Sequence, residues 1–312
     1  MTVSSMGESA LLLHRLEKPK GKIDVVLDTD AYNEIDDQYA IGYLLHSGKT
    51  LCTRAIYAAP FSNQKVSSPA EGMRLSYEEI LHILALDSRC GIPVLQGSDR
   101  YLPSESEEVF SPAARDLAQR AEAYSAERPL YVVAIGAATN VASALLLNPG
   151  IREKIVVVWL GGHAHHWPHN REFNLYQDIA AARILFGCGV PLVQLPCQGV
   201  VSAFTLSGPE LWKWLHGKNP LCSYLVEHTQ QEAERAYRRE VWTRPIWDVA
   251  AVAWLLSGDY MADRLTPSPI PQYDHHYSFD PTRHWIRYVY QIKRDNLAES
   301  LIQTLTLPQP AP

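Results

Sequence analysis

The residues best able to do chemistry stand together near the start of the chain, in Asp28-Thr29-Asp30-Ala31-Tyr32-Asn33-Glu34-Ile35-Asp36-Asp37, five carboxylates within ten residues. An apolar β-branched run, Ile23 to Leu27, comes before them and a helical pattern comes after. The loop is therefore pinned at a sheet edge, and its acids are expected to converge. Two carboxylates about 4 Å apart repel by about 4 kcal/mol at an effective dielectric of 20, so a converged set needs a cation or a shared proton. Hard oxygen donors select Ca²⁺ or Mg²⁺. An EF-hand is excluded: it wants acids at its first, third and fifth positions and glycine at the sixth, and Tyr32 and Asn33 occupy the last two of these, counted from Asp28. The plainer reading of the same residues is a solvated acidic turn that caps the next helix with Asp36.

The elements that would position this loop follow from the hydrophobic pattern. Short β-branched runs (Ile23 to Leu27, Thr53 to Tyr57, Leu130 to Ile135, Ile155 to Leu160, Val190 to Leu195) alternate with stretches of helical spacing, such as Ala40, Ile41, Leu44 and Leu45, or Tyr77, Ile80, Leu81 and Leu84. The alternation predicts an α/β fold, a mostly parallel, mixed central sheet covered by helices on both faces, in the manner of a Rossmann-like open sheet. Trp285 to Ile292 alternates as a strand, and Asp295 to Leu305 reads as a closing helix begun by an Asx-type cap. One domain over residues 22–305 is expected, with residues 1–21 and 306–312 as loosely ordered tails and residues 200–245 as a helical excursion. In such sheets ligands gather at the carboxyl ends of the strands, where the acidic loop lies.

Composition narrows the partners. A 312-residue chain with 46% hydrophobic and 20% charged residues and a formal charge of −6 has no basic surplus for phosphates, so nucleic acid is not an expected partner. Apolar stretches such as Val249 to Leu256 fall short of the ~20 residues of a spanning helix, and Ala10 to Leu13 is too short for a signal peptide. No membrane partner and a cytoplasmic location are expected. The five cysteines, Cys52, Cys90, Cys188, Cys197 and Cys222, form no C-x-x-C pair and read as buried thiols.

Further along, four segments extend the acidic motif: Gly136-Ala137-Ala138-Thr139-Asn140, Leu160-Gly161-Gly162, Glu172-Phe173-Asn174 and Trp247-Asp248-Val249-Ala250. In this order they resemble the nucleoside hydrolases, the inosine-uridine-preferring N-ribohydrolase family, in the branch whose first loop carries Asn before the acidic pair. The resemblance spans residues 23–257. It implies Ca²⁺-dependent hydrolysis of the N-glycosidic bond of ribonucleosides, with Asp30, Asp37, Asp248 and the carbonyl of Ile135 as ligands and Asp30 as the base that takes a proton from water. It also implies that Asp36 and Asn174 bind ribose hydroxyls, that Glu172 reaches the 5′ side of the sugar, that Asn63 is the further sugar-binding asparagine, and that the protein is a homodimer or homotetramer. Cation chemistry agrees: a hard ion can chelate a cis-diol and a water and lower the pKa of that water.

Trp247 departs from the family, which commonly has there a histidine able to protonate the departing base; an indole N–H is no acid near neutrality. The loop His163-Ala164-His165-His166-Trp167-Pro168-His169 offers His163, His165 and His166 as a replacement, against the plainer reading of a solvated loop. Trp247 itself, Tyr237 and Trp242 are candidates to line a base pocket. Two other readings are kept. One is a nucleoside or ribose sensor that holds Ca²⁺ without turnover. The other is a Mg²⁺-dependent, haloacid-dehalogenase-like phosphatase with Asp28 as nucleophile, which Tyr32 and the Glu172-Phe173-Asn174 segment both disfavour.

Overall fold

The run before the acidic loop is a strand in the interior of the sheet, hydrogen-bonded to a parallel neighbour on each side. The structure, a computed structural model, describes residues 7–89, 91–237 and 241–307, without the side chains of Glu8, Ser9, Ala236 and Tyr237. Its strands in chain order are β1 (Ile23–Thr29), β2 (Leu51–Ala58), β3 (Val94–Gln96), β4 (Leu130–Ala134), β5 (Ile155–Leu160), β6 (Leu192–Leu195), β7 (Thr205–Ser207), β8 (Thr243–Pro245), β9 (Met261–Pro267), β10 (Ile270–Pro271), β11 (Tyr277–Ser278) and β12 (Trp285–Ile292). The helices are α1 (Glu8–Arg15), α2 (Asp36–His46), α3 (Pro69–Leu86), α4 (Pro112–Arg120), α5 (Thr139–Leu147), α6 (Phe173–Gln177), α7 (Ile179–Gly187), α8 (Gly208–Trp214), α9 (Pro220–Tyr237), α10 (Val249–Trp254) and α11 (Arg294–Thr306).

Eight strands make one sheet in the order β3-β2-β1-β4-β5-β6-β12-β9. All neighbours run parallel except β9, which pairs antiparallel with β12 at the edge. The pleat explains why β1 is apolar on both faces. Val25 and Leu27 enter a core shared with α2, α3, α10 and α11, while Val26 enters a second core with α4, α5 and α7. Burial on both sides is what a parallel sheet requires, and the mixed, doubly covered α/β architecture is the one the sequence predicts. Residues 200–245 hold α8 and α9 and the two-stranded ribbon of β7 and β8.

Two local expectations are corrected. Residues 1–21 do not form a loose tail throughout, because α1 docks onto the domain. Leu16 is fully buried, the Arg15 guanidinium donates to the carbonyls of Arg152 (3.2 Å) and Glu153 (2.8 Å), and Arg287 donates to the Leu16 carbonyl (2.8 Å). One buried leucine and bonds to backbone carbonyls leave no periodic signal to read. The last helix begins at Arg294, with Lys293 in the cap position and no side-chain cap; Asp295 pairs instead with Arg294 at 2.9 Å. Residues 308–312 lie outside the described residues, as does Cys90.

Candidate active site

From β1 the strand order runs one way through β2 to β3 and the other way through β4 to β6, so the loops after β1 and β4 diverge and open a crevice at their carboxyl ends. The chain leaving β1 turns at once, with the Asn33 amide donating to the Asp30 carbonyl at 2.7 Å, and enters α2 at Asp36. The helix α10 packs across α2 and starts after Asp248. Two helix N-termini therefore meet, and carboxylate oxygens of Asp36, Asp37 and Asp248 lie within 4.8 Å of one another. Gly136, just past β4, allows the close approach on the other side: a Cβ there would stand 3.2 Å from Asp30 Oδ1.

Magnitudes decide what this cluster needs. A helix N-terminus stabilises an anion by about 0.3–1 kcal/mol, against several kcal/mol of repulsion for each close pair. Asp30, Asp36, Asp37 and Asp248 are at most 3% exposed, and Asp30 Oδ2 and Asp36 Oδ1 have no hydrogen-bond partner. Burial, followed by the neighbouring aspartates, pushes Asp30, Asp37 and Asp248 well above the usual carboxylate range; burial and then the charge of Glu34 push Asp36 up to about 7. Asp37 accepts a bond from the Thr29 hydroxyl. Ile35, not Asp36, is the N-cap of α2, and no side chain caps there, so the acidic-turn reading fails. Crowded, dry oxygens with orphaned lone pairs fit a hard cation. The tightest set is Asp36, Asp37 and Asp248, where the resemblance implied Asp30, Asp37 and Asp248; Asp30 lines the same cavity, as does Ile135.

That cavity, of about 220 Å³, also receives Glu172, Asn174, His163 and Trp247. Both Glu172 oxygens accept backbone N–H groups, from Asn174 (2.9 Å), Leu175 (2.9 Å) and Gly162 (2.8 Å), so this acid holds its own loop; burial nevertheless lifts it to about 7. Asn174 donates to the carbonyls of Leu160 (3.0 Å) and Ile135 (3.2 Å), which leaves its side-chain oxygen as an acceptor. His163 accepts the Gln198 amide at Nδ1 (3.3 Å), which puts its proton on Nε2. Burial, with His169 beside it, lowers its pKa to about 4, so it is neutral and a poor proton donor. His165 is drawn away, bonded to Gln194 Oε1 at 2.9 Å and set against the rings of Tyr288 and Tyr277, while His166 is exposed. Of the three histidines offered as a replacement acid, His163 is the one that lines the cavity.

Other candidates move. Asn63 donates to Asn33 Oδ1 (2.8 Å) and lines a neighbouring cavity of about 630 Å³, because Asn33 stands between it and the aspartates. Trp242 packs on Gly208, where a Cβ would stand 2.9 Å from the indole, and lines neither cavity, so its base-pocket role is withdrawn. Tyr237 ends α9, and its side chain lies outside the described residues. Asp28, the nucleophile of the phosphatase reading, is fully buried, accepts from Asn140 (2.7 Å) and does not line the aspartate cavity. Thr139 and Asn140 prove to be scaffold: Thr139 donates to Asp178 (2.7 Å), and Asn140 links Asp28 to the Ala58 carbonyl (3.1 Å) and to Ser98.

Sequence reasoning missed a charged seam between the two cavities, which share Asn33 and Glu34. Arg244 in β8 lies 3.0 Å from Glu34 and 3.7 Å from Glu232, with its guanidinium 5.6 Å over the Trp247 ring. Lys65 holds Glu232 at 2.9 Å and donates to the Asn33 carbonyl at 2.6 Å. A lone arginine four residues before Asp248 gives no signal in one sequence.

The model of the inosine-uridine preferring nucleoside hydrolases matches residues 25–276. The pyrimidine-specific ribonucleoside hydrolase RihA of Escherichia coli O7:K1 is 28% identical over 261 residues, 75% of this chain and 79% of that protein. Two solved structures share the fold. A plant nucleoside hydrolase, PpNRh1, superposes with a TM-score of 0.73 at 21% identity, over 92% of this chain and 99% of its own. A purine-preferring ribonucleoside hydrolase from Gardnerella vaginalis gives 0.70 at 20%, over 91% and 98%. Matched along most of its length by the family's own pattern, the chain belongs to the inosine-uridine preferring nucleoside hydrolases and is a nucleoside-hydrolase enzyme.

Proposed function

We propose that the enzyme hydrolyses the N-glycosidic bond of ribonucleosides to ribose and free base, and does so with Ca²⁺ held by Asp30, Asp37, Asp248 and the Ile135 carbonyl. The observation that carries this is the set of buried aspartates in one small cavity, two of them with unpartnered oxygens. When bound, the ion supplies Lewis acidity to the sugar hydroxyls and to water. The rest falls to the chain's own residues. Asp36 and the Asn174 oxygen accept ribose hydroxyls, and His163 offers an N–H from the cavity wall. Asp30 takes a proton from the attacking water. The negative wall favours an oxocarbenium-like transition state as the bond to the base breaks. Trp247 offers its ring to the base.

The test is a panel of purine and pyrimidine ribonucleosides and their 2′-deoxy analogues, with released base measured after chelation and after return of Ca²⁺ or Mg²⁺. Turnover lost on chelation, restored best by Ca²⁺ and poor on deoxynucleosides supports the reading. Comparable rates on ribo- and deoxynucleosides, or full activity in chelator, overturn it. RihA is named as pyrimidine-specific and the Gardnerella enzyme as purine-preferring, so both base classes belong in the panel. We further infer two or four copies per assembly, read by light scattering, and a cytoplasmic place of action, read by cell fractionation; no described helix is long and apolar enough to cross a membrane.

A further inference from the structure

We propose that a second ligand site, for a phosphate monoester, lies at the amino-terminal end of the sheet, opposite the end that holds the aspartate cavity. The inference is independent of the hydrolase reading above. A cavity of about 300 Å³ opens there between the end of α1, the chain that leads from it into β1, and the start of β4. Five side chains of fixed positive charge line it, Arg15, Lys18, Lys20, Lys22 and Arg128, against the carboxylates of Glu17, Asp24 and Glu127. Asp24 is already held, by Arg54 at 2.9 Å from outside the cavity and by the Tyr124 hydroxyl at 2.9 Å. Among the described residues, neither the three lysine ammonium groups nor the Arg128 guanidinium has a direct hydrogen-bond or ion-pair partner. The formal charge of −6 speaks against a polyanion, but a single phosphate needs only this local excess.

Arg15 supplies the specific contact. It is 7% exposed, and Glu127, on the wall of the same cavity, is near enough to act on its charge. Its Nη1 is committed to the carbonyls of Arg152 (3.2 Å) and Glu153 (2.8 Å), whereas Nε is buried without a partner and Nη2 makes no hydrogen bond. Nε and Nη2 form one edge of the guanidinium plane, the fork that takes two oxygens of one phosphate. A buried donor left unpaired is unfavourable, and an oxyanion relieves it. Burial lowers the proton affinity of Arg15 more than Glu153 and Glu127 raise it, and that of Lys18 more than Asp263 and Asp259 raise it, so both cations are short of counter-charge. Tyr124, whose ring is fixed by its bond to Asp24, and the buried Tyr131 add an aromatic wall for the organic part of the ligand. A dianion joined to a compact organic group is the chemistry of a nucleoside monophosphate or a sugar phosphate.

The experiment titrates the full-length protein with inorganic phosphate, ribose 5-phosphate and AMP by calorimetry. Two variants are compared with wild type. Arg15→Lys keeps the charge and loses the fork, and the pair Lys20→Glu with Lys22→Glu reverses two exposed charges without touching α1. Each is expected to weaken binding of the phosphate monoesters by at least about 10-fold, the worth of one charged hydrogen bond, and the lysine pair to do so at an unchanged Tm. AMP binding tighter than ribose 5-phosphate assigns the tyrosine wall to a base, and equal affinities assign the site to phosphate and sugar; either result supports the site. No saturable binding of any of the three probes at millimolar concentration, or binding that either variant leaves unchanged, overturns it.

Discussion

Two groups of acids lie on either side of Asn33, and they are neutralised in opposite ways. The outer group, Glu34 and Glu232, has cations of its own: Arg244 and Lys65 sit within 3.0 Å and 2.9 Å of them. The inner group, Asp30, Asp36, Asp37 and Asp248, lines a cavity whose one basic side chain that is always charged, among the described residues, is the exposed Arg171, and it keeps orphaned oxygens. Acidity alone therefore says little about ion binding. A carboxylate cluster calls for an outside cation when the fold brings the acids together and leaves their bases out.

Changing one acid on each side breaks the comparison most sharply. Asp30→Asn should lower kcat by about 1,000-fold, within the range for loss of a general base. The same variant, freed of one repelling charge, should melt no lower than wild type in chelator by calorimetry. A variant that keeps wild-type turnover would place the base elsewhere. Next in size is the ion itself. Ca²⁺ at about 100 times its dissociation constant should stabilise the protein by about 2.7 kcal/mol, read as a rise in Tm that Mg²⁺ reproduces poorly; no shift with any divalent ion would mean the aspartates share protons instead.

A smaller effect lies in pH. The folded pKa of Asp36 is near 7, against about 3.9 for a free aspartate, and Asp30, Asp37 and Asp248 move the same way. Between those limits the folded protein holds protons that the unfolded chain releases, so metal-free stability is fullest below about pH 4 and is lost as pH rises through about 7. Melting in chelator should therefore fall across that window and flatten when Ca²⁺ is present. A rise with pH would contradict the buried cluster. Least of all, Glu34→Gln in the outer group should change stability by less than about 1 kcal/mol, since its partly exposed pair is screened; a larger loss in urea melts would mean the seam supports the fold.

The parts legible in the sequence were those with local periodicity. β5 and β12 begin and end where their hydrophobic pattern says, and the acidic loop follows β1 as expected. What was not legible shares one cause, partners that a single sequence does not assign. Asp28 and Asp30 look alike on paper, yet Asn140 binds the first and leaves the second to the cavity. Glu172 lines the aspartate cavity, and the three backbone amides that it also holds carry no signal in one sequence. Trp242 reads as a pocket wall until Gly208 is found beneath it. The edge strand β9, Met261–Pro267, is largely half-exposed and carries no clear alternation.

The meeting of α2 with α10 has a consequence for synthesis. Asp36 and Asp37 leave the ribosome early, whereas Asp248 comes from the last quarter of the chain. Until α10 docks, the nascent protein carries its first three acids without the fourth, and an ion finds only a partial set of ligands. On the proposed ligand set, full coordination waits for α10 to dock, so metal capture is expected late in folding instead of seeding it.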